Sequence, residues 1–273
     1  ALFKHLRLGI YNHPRNSIDA LRIWPVELES TLGKIIHQSL LGAGFRVQTY
    51  TNSYNRFEDT RGLNYESYFA KRSANMRYNV RRRHRALERS GKLELEMVTE
   101  PSQLQEAIPQ YMIVSNASWK SPASMYSLET LQLINLCAGK GCLRLGIMRF
   151  ECIPVAAQFW IITGGAAHCA RLAYHESYKK QAVGVVLTNF MIAHLLDQDR
   201  VNEIDFGYGP DEYKRDWMNS SRHYNGFMAF NPSTPRGRIY GIKHIPGRAV
   251  KRFIKWGLAA LGWQRFKAKQ EED

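Results

Sequence analysis

Residues 204–217, Ile-Asp-Phe-Gly-Tyr-Gly-Pro-Asp-Glu-Tyr-Lys-Arg-Asp-Trp, gather more polar and aromatic groups than core packing requires. A short strand ends on Asp205, a turn follows at Gly207, Gly209 and Pro210, and Tyr213, Lys214 and Trp217 come next. A carboxylate at a strand end can take a proton, and a tyrosine hydroxyl can return one. Lys214 can hold a phosphate or a substrate carboxylate, and Trp217 fits a packing anchor beside a bound substrate. His175 and Glu176 close an earlier strand and are alternative candidates for the base, with histidine titrating near neutrality. Neighbours on a strand point to opposite faces, so one of these two faces a site. Asp205 also has a structural alternative: capping the Gly207–Pro210 turn, or pairing with Lys214 or an arginine of the basic helix described below.

A second cluster, Tyr178-Lys179-Lys180-Gln181-Ala182-Val183-Gly184, opens a long apolar helix. A helix N-terminus presents unpaired N–H groups and the positive end of its dipole, which suits a phosphate. Gly184 lets a diphosphate approach the backbone, and Lys179, Lys180 and Gln181 add charge and a donor. The alternative is an ordinary helix start behind solvated lysines. Acyl transfer needs a base, donors for the carbonyl oxygen and a proton for the leaving group, and the two clusters together can supply them.

Three stretches resemble the GNAT (GCN5-related N-acetyltransferase) superfamily, in particular the acyltransferases grouped with the cellulose-biosynthesis protein CelD. That group is related to the Fem-type aminoacyl transferases of cell-wall assembly. The stretches are Tyr68–Leu87, Ala170–Tyr178 with Gly184, and Asp205–Trp217, within roughly residues 45–230. The resemblance implies a GNAT-like acyltransferase fold and a coenzyme A thioester as donor substrate. It implies a diphosphate site at Gln181-Ala-Val-Gly184-Val-Val186, which keeps the family's first two marks and departs from its final small residue at Val186. It also suggests a site-lining role for Arg77 and Arg81.

Charge points to anionic partners. The chain carries a net charge of +14 over 273 residues. Residues 71–92 hold nine basic residues against Glu88, and residues 236–269 hold ten and no acid. Such blocks attract phosphates, nucleic acid or an anionic membrane surface, or simply form solvated faces. Arg77, Arg81 and Arg85 share one helix face at four-residue spacing. From Arg248 to Phe266 an apolar stripe faces Arg248, Lys251, Arg252 and Lys255, the pattern of a basic amphipathic helix at an anionic membrane or packed on the domain.

Three function classes follow. The first is an acyltransferase moving an acyl group from a coenzyme A or carrier thioester to an amine or hydroxyl of a saccharide or small metabolite. The second is a Fem-like aminoacyl transferase using charged tRNA, and the third a noncatalytic nucleic-acid or membrane-binding module. The four cysteines lack Cys-x-x-Cys spacing and read as reduced, buried thiols. The nine histidines form no ligand signature, so no metal is expected. No apolar run is long enough to span a bilayer. The first residues lack a secretory leader, and Ala1 in place of Met leaves room for an earlier segment. The expected location is the cytoplasm, with peripheral inner-membrane contact through the C-terminal helix.

The elements that position these residues follow from periodicity. Helices are expected over 27–44, 64–90, 101–118, 128–138 and 183–196. Strands are expected over 45–50, 93–98, 143–150, 153–162, 166–174, 203–206 and 223–230. The run of three strands with tight breaks predicts an antiparallel meander, and the order predicts an α+β class with a mixed, largely antiparallel sheet flanked by helices. Expected divisions are an N-terminal α/β half over 1–98 that ends in the basic helix, the GNAT-like catalytic domain over 99–235 and a basic amphipathic tail over 236–273. The resemblance implies that the first is a degenerate partner of the second.

Overall fold

A computed structural model describes residues 2–8, 17–118, 128–209 and 212–244. The strands are β1 (Ala20–Val26), β2 (Arg46–Asp59), β3 (Leu93–Val98), β4 (Leu143–Phe150), β5 (Ile153–Thr163), β6 (Ala166–Tyr174), β7 (Glu203–Tyr208) and β8 (Ser220–Phe230). The first five helices are α1 (Leu2–Leu8), α2 (Thr31–Gly42), α3 (Tyr65–Ala70), α4 (Ala74–Ser90) and α5 (Leu104–Asn116). Then come α6 (Leu128–Gly139), α7 (Val183–Asp197), α8 (Tyr213–Trp217) and α9 (Pro235–His244). The class is α+β, with a mixed, largely antiparallel open sheet flanked by helices.

Two compact units emerge. One is Tyr54–Arg222; the other joins the chain up to Ser53 with the described residues from His223 on. These boundaries differ from the divisions expected at 98/99 and 235/236. The basic helix α4 packs on α7 within the Tyr54–Arg222 unit rather than closing a separate half.

In that unit β3, β4, β5 and β6 form the antiparallel meander, with hairpin registers such as Ile147↔Ala157 and Ala157↔Ala173. Alternation along β4 sorts its side chains. Leu143, Leu145 and Ile147 bury against Leu104, Tyr111, Val114 and Ile134 of α5 and α6. Met148 joins the other core, built from Val80 and Leu87 of α4 and Leu187, Met191 and Leu195 of α7. Gly146 lets α7 lie close on β4, since a Cβ there would sit 2.2 Å from Met191 Sδ.

The sheet parts between β6 and β7. Their parallel pairing covers Ala166↔Glu203, Ala167↔Ile204 and His168↔Asp205. Beyond these pairs β6 continues to Tyr174, while β7 pairs on its other side with Asn55–Asp59 of β2. A wedge therefore opens beside the C-terminal half of β6.

In the other unit β1 pairs antiparallel with β8, from Ala20↔Phe230 to Val26↔Asn225, and Val26, Leu40, Phe45, Phe227 and Ala229 form a small core. β1 escaped the sequence pattern because its alternation breaks after Ile23 at Pro25, where the register with β8 shifts, which an edge strand tolerates.

The helix expected over 64–90 is two helices. Asn64 caps α3 through a box with Ser67, and Ser73 restarts α4 by accepting from the Met76 amide at 3.1 Å. Between them Arg72 is buried in an ion pair, which fixes the break. The segment Arg248–Phe266, expected as an amphipathic helix, lies outside the described residues. Among the described residues no helix is long and apolar enough to cross a membrane.

Candidate active site

The wedge beside β6 holds a cavity of about 400 Å³. β6 contributes Leu172 and Tyr174, α4 contributes Met76, and α8 contributes Tyr213, Asp216 and Trp217. The remaining wall is Lys179 and the start of α7, from Ala182 to Val185 with Thr188.

The start of α7 is built as an open donor site. Ala182 takes the left-handed conformation (φ 57°) and no side chain caps the helix. Its carbonyl accepts from the Val185 and Val186 amides at 2.9 and 3.3 Å. The amides of Val183 and Gly184 lie one turn too early for an intrahelical acceptor and stay available at the positive end of the dipole. A Cβ on Gly184 would stand 3.4 Å from Tyr174 Cδ1, an ordinary contact. Packing therefore does not demand glycine here; a larger side chain would instead occupy the cavity that Gly184 lines.

A buried polar chain fixes this turn to the sheet. Trp160 Nε1 donates to Gln158 Oε1 at 3.1 Å, Gln158 Nε2 donates to Thr188 Oγ1 at 2.6 Å, and the Thr188 hydroxyl donates to the Gly184 carbonyl at 2.8 Å. Gln158 is fully buried. Thr188 lies 30 positions from Gln158, so nothing in local sequence betrays the link between sheet and helix.

Of the residues expected to hold the donor, Lys179 and Gly184 line the cavity. Lys179 also pairs with Glu176 at 3.0 Å, and both are exposed. Lys180 and Gln181 are exposed in the 3-10 turn before α7, and the Lys180 carbonyl accepts from Arg83 Nη1 at 2.8 Å. His175 caps that turn, its Nδ1 accepting from the Ser177 amide at 3.3 Å, and its ring meets Tyr178 edge-on. Neither His175 nor Glu176 is among the cavity's described lining residues.

α8 supplies the other wall. Tyr213 lines the cavity and packs edge-on against Phe206. Trp217 is buried and lines the cavity too, whereas Lys214 is buried and outside the described lining. Asp216 was missed at the sequence level, although it sits three residues from Tyr213 and so on the same helix face. Five residues cannot hold a helix in place alone. The Trp217 carbonyl accepts from Tyr68 Oη at 2.6 Å and from Arg72 Nη1. Arg72 Nη2 donates to Glu58 at 2.8 Å, and Glu58 also accepts from the Asn219 amide at 2.7 Å. Burial pushes the Tyr68 hydroxyl pKa well up, so it stays a donor.

Asp205 sits elsewhere. It is 1% exposed and outside the described lining, at the point where β6 and β7 part. It accepts from Asn55 Nδ2, from the Gly207 amide at 2.6 Å and from Arg222 Nη2 at 2.8 Å, with His168 Nδ1 at 3.5 Å. Burial alone would raise its pKa. The hydrogen bonds from His168, Asn55 and Gly207 and the charge of Arg222 outweigh that and hold it at about 2. Such a carboxylate is a poor proton acceptor near neutrality. The arginine partner comes from β8, not from the basic helix.

Arg77 and Arg81 are outside the described lining of this cavity. With Tyr78, Arg82, Arg85 and Arg89 they line a separate open surface along α4. Among the described residues the four cysteines form no disulfide, and no group of three or more acidic, histidine or cysteine side chains is placed to hold a metal. Cys137 is buried, but Cys152 is exposed in the tight β4–β5 turn, against the expectation of uniformly buried thiols.

The sequence profile of the Acetyltransferase (GNAT) domain matches residues 74–215, more than half of the chain. No curated protein sequence matches it. Among solved structures, FemX superposes with a TM-score of 0.55 at 10% identity, covering 82% of this chain and 75% of that one. The C-terminal (DUF2156) domain of an Agrobacterium fabrum protein designated a lysylphosphatidylglycerol synthetase superposes with a TM-score of 0.51 at 11% identity, covering 76% and 68%. At these identities the likeness is one of fold.

Proposed function

The chain belongs to the GNAT acetyltransferase domain family, and on that premise we propose that its cavity binds an acyl thioester of coenzyme A and passes the acyl group to an amine or hydroxyl. The observation that supports this reading is the uncapped N-terminus of α7, with side-chain-free Gly184 facing the cavity where β6 and β7 part. The Val183 and Gly184 amides would hold the diphosphate, with Lys179 adding charge. The apolar wall of Leu172, Val183, Val185 and Trp217 would take the uncharged arm of the donor.

The acceptor must lose a proton and the thiolate must gain one. In this reading Asp216 takes the first, directly or through a water, and Tyr213 gives the second; both line the cavity. Asp205 we read as a brace that holds β2, β7 and β8 together at the parting point. Within the family we place the chain with CelD-type enzymes on the strength of Asp205–Trp217, with a saccharide or small metabolite as acceptor. Peripheral contact of the basic C-terminal segment with an anionic membrane belongs to the same proposal.

The +14 charge favours a second reading, an aminoacyl ester delivered by tRNA as in the Fem-type transferases that the chain resembles. Calorimetric titration with coenzyme A and acetyl-coenzyme A at about 0.3 M salt, where weak polyanion binding is screened, separates the two. Saturable binding that is lost in Gly184→Asp and absent with ATP supports the thioester. No binding to the wild type sinks it and leaves the tRNA ester to be tested.

A further inference from the structure

α4 carries Arg77, Arg81, Arg85 and Arg89 at unbroken four-residue spacing, with Arg82 and the exposed Tyr78 alongside. Four residues rise about 6 Å along a helix, so the stripe is about 18 Å long. Like charges at this spacing oppose helix formation, so the stripe is not there for α4's own stability. Glu88, the one acid of the helix, pairs with His84 at 3.8 Å. Among the described residues no carboxylate forms a salt bridge with the four stripe arginines. Arg77 Nε is buried without a hydrogen-bond partner. Arg81 and Arg82 lie 5.6 and 5.9 Å from the Phe69 and Tyr78 ring centres, which restrains their forks in advance of binding.

The stripe begins at the donor cavity. Met76 lines the cavity and Arg77 is the next residue, while Arg83 holds the Lys180 carbonyl in the turn that opens α7. Coenzyme A gathers its phosphates at one end of the molecule, so it would leave the far arginines, three turns away, without partners. A partner helix with carboxylates every fourth residue repeats at the same rise and can pair with all four by arginine–carboxylate forks.

We propose that the arginine stripe of α4 docks an acidic helical acyl carrier protein, whose phosphopantetheine arm delivers the thioester to the cavity. This rests on the thioester reading above and names the source of the thioester. The acceptor nitrogen or oxygen attacks the thioester carbonyl, the C–S bond breaks, and the arm leaves as a thiol carrying the proton the acceptor gives up. Single-stranded nucleic acid fits less well, because it favours a series of stacking rings and the described lining of this face offers Tyr78 alone.

The test measures equilibrium binding of four probes to the whole chain: acetylated acyl carrier protein, acetyl-coenzyme A, the carrier lacking its arm, and a single-stranded RNA oligonucleotide. The variants are Arg85→Glu and, as a charge control off the stripe, Lys140→Glu. Arg85→Glu places opposite charges beside Arg81 and Arg89, so the helix is retained. The expected result is carrier binding weakened about tenfold or more by Arg85→Glu, with acetyl-coenzyme A affinity unchanged and Lys140→Glu neutral. Binding of the armless carrier, also sensitive to Arg85→Glu, supports docking by the stripe itself. The proposal is overturned if Arg85→Glu leaves carrier binding intact, or weakens carrier and acetyl-coenzyme A alike. It is also overturned if RNA alone binds through Arg85. If acetyl-coenzyme A binds and the carrier does not, the docking idea falls while the thioester reading stands; if neither binds, the thioester reading falls first.

Discussion

Replacing Asp205 with asparagine separates a brace from a base. The side chain keeps its size and one acceptor oxygen but loses the charge that Arg222 and His168 face. Its carboxyl is held at about 2 against an ordinary 3.8. At about 1.4 kcal/mol per unit, that difference is worth roughly 2–3 kcal/mol at pH 7. The sign follows from linkage. A carboxyl lowered in the folded state stabilises it above the unfolded pKa, and the effect fades as pH falls through the folded value. Urea unfolding followed by tryptophan fluorescence should therefore show Asp205→Asn less stable by roughly 2–3 kcal/mol at pH 7. The gap should narrow to about half by pH 3. If the variant is within about 0.5 kcal/mol of the wild type yet loses turnover tenfold or more, the brace is wrong and Asp205 is the base.

At the cavity, Tyr213→Phe should lower kcat about tenfold or more with little change in donor affinity, and Asp216→Asn should do the same. Unchanged kcat in both would remove them from the chemistry. Arg72→Met leaves Glu58 buried without its cation and should cost about 3–5 kcal/mol in urea unfolding, part of which Arg72→Met/Glu58→Leu recovers. Equal stability of the single and double variants would show that the unpaired charge of Glu58 is not what the single variant loses.

Sequence alone determined a good deal. Alternation and turn residues placed the strands 93–98, 143–150 and 166–174 where they lie, because a strand's two-residue period and its glycine breaks are local properties. The apolar helix behind Lys179–Gly184 was legible for the same reason, and the motifs there and after β7 carried the resemblance to the GNAT superfamily. Tertiary structure decided what local pattern cannot carry. In sequence Asp205 read as a base, because a carboxylate at a strand end is exposed to chemistry in principle, or as a cap of the Gly207–Pro210 turn. Its bond from the Gly207 amide fits the cap. It is also held by Asn55, 150 positions away, and by Arg222 from another strand. The single basic helix expected over 64–90 broke at Arg72 because its guanidinium binds Glu58 and the Trp217 carbonyl, contacts that exist once β2, α3 and α8 have come together. Gln158 and Thr188, which fix the donor helix, belong to different elements and carry no spacing to read. Hydrogen-bond satisfaction of buried polar groups is settled between elements distant in sequence, and that is why the periodicity that fixes elements leaves the partners of their buried polar groups open.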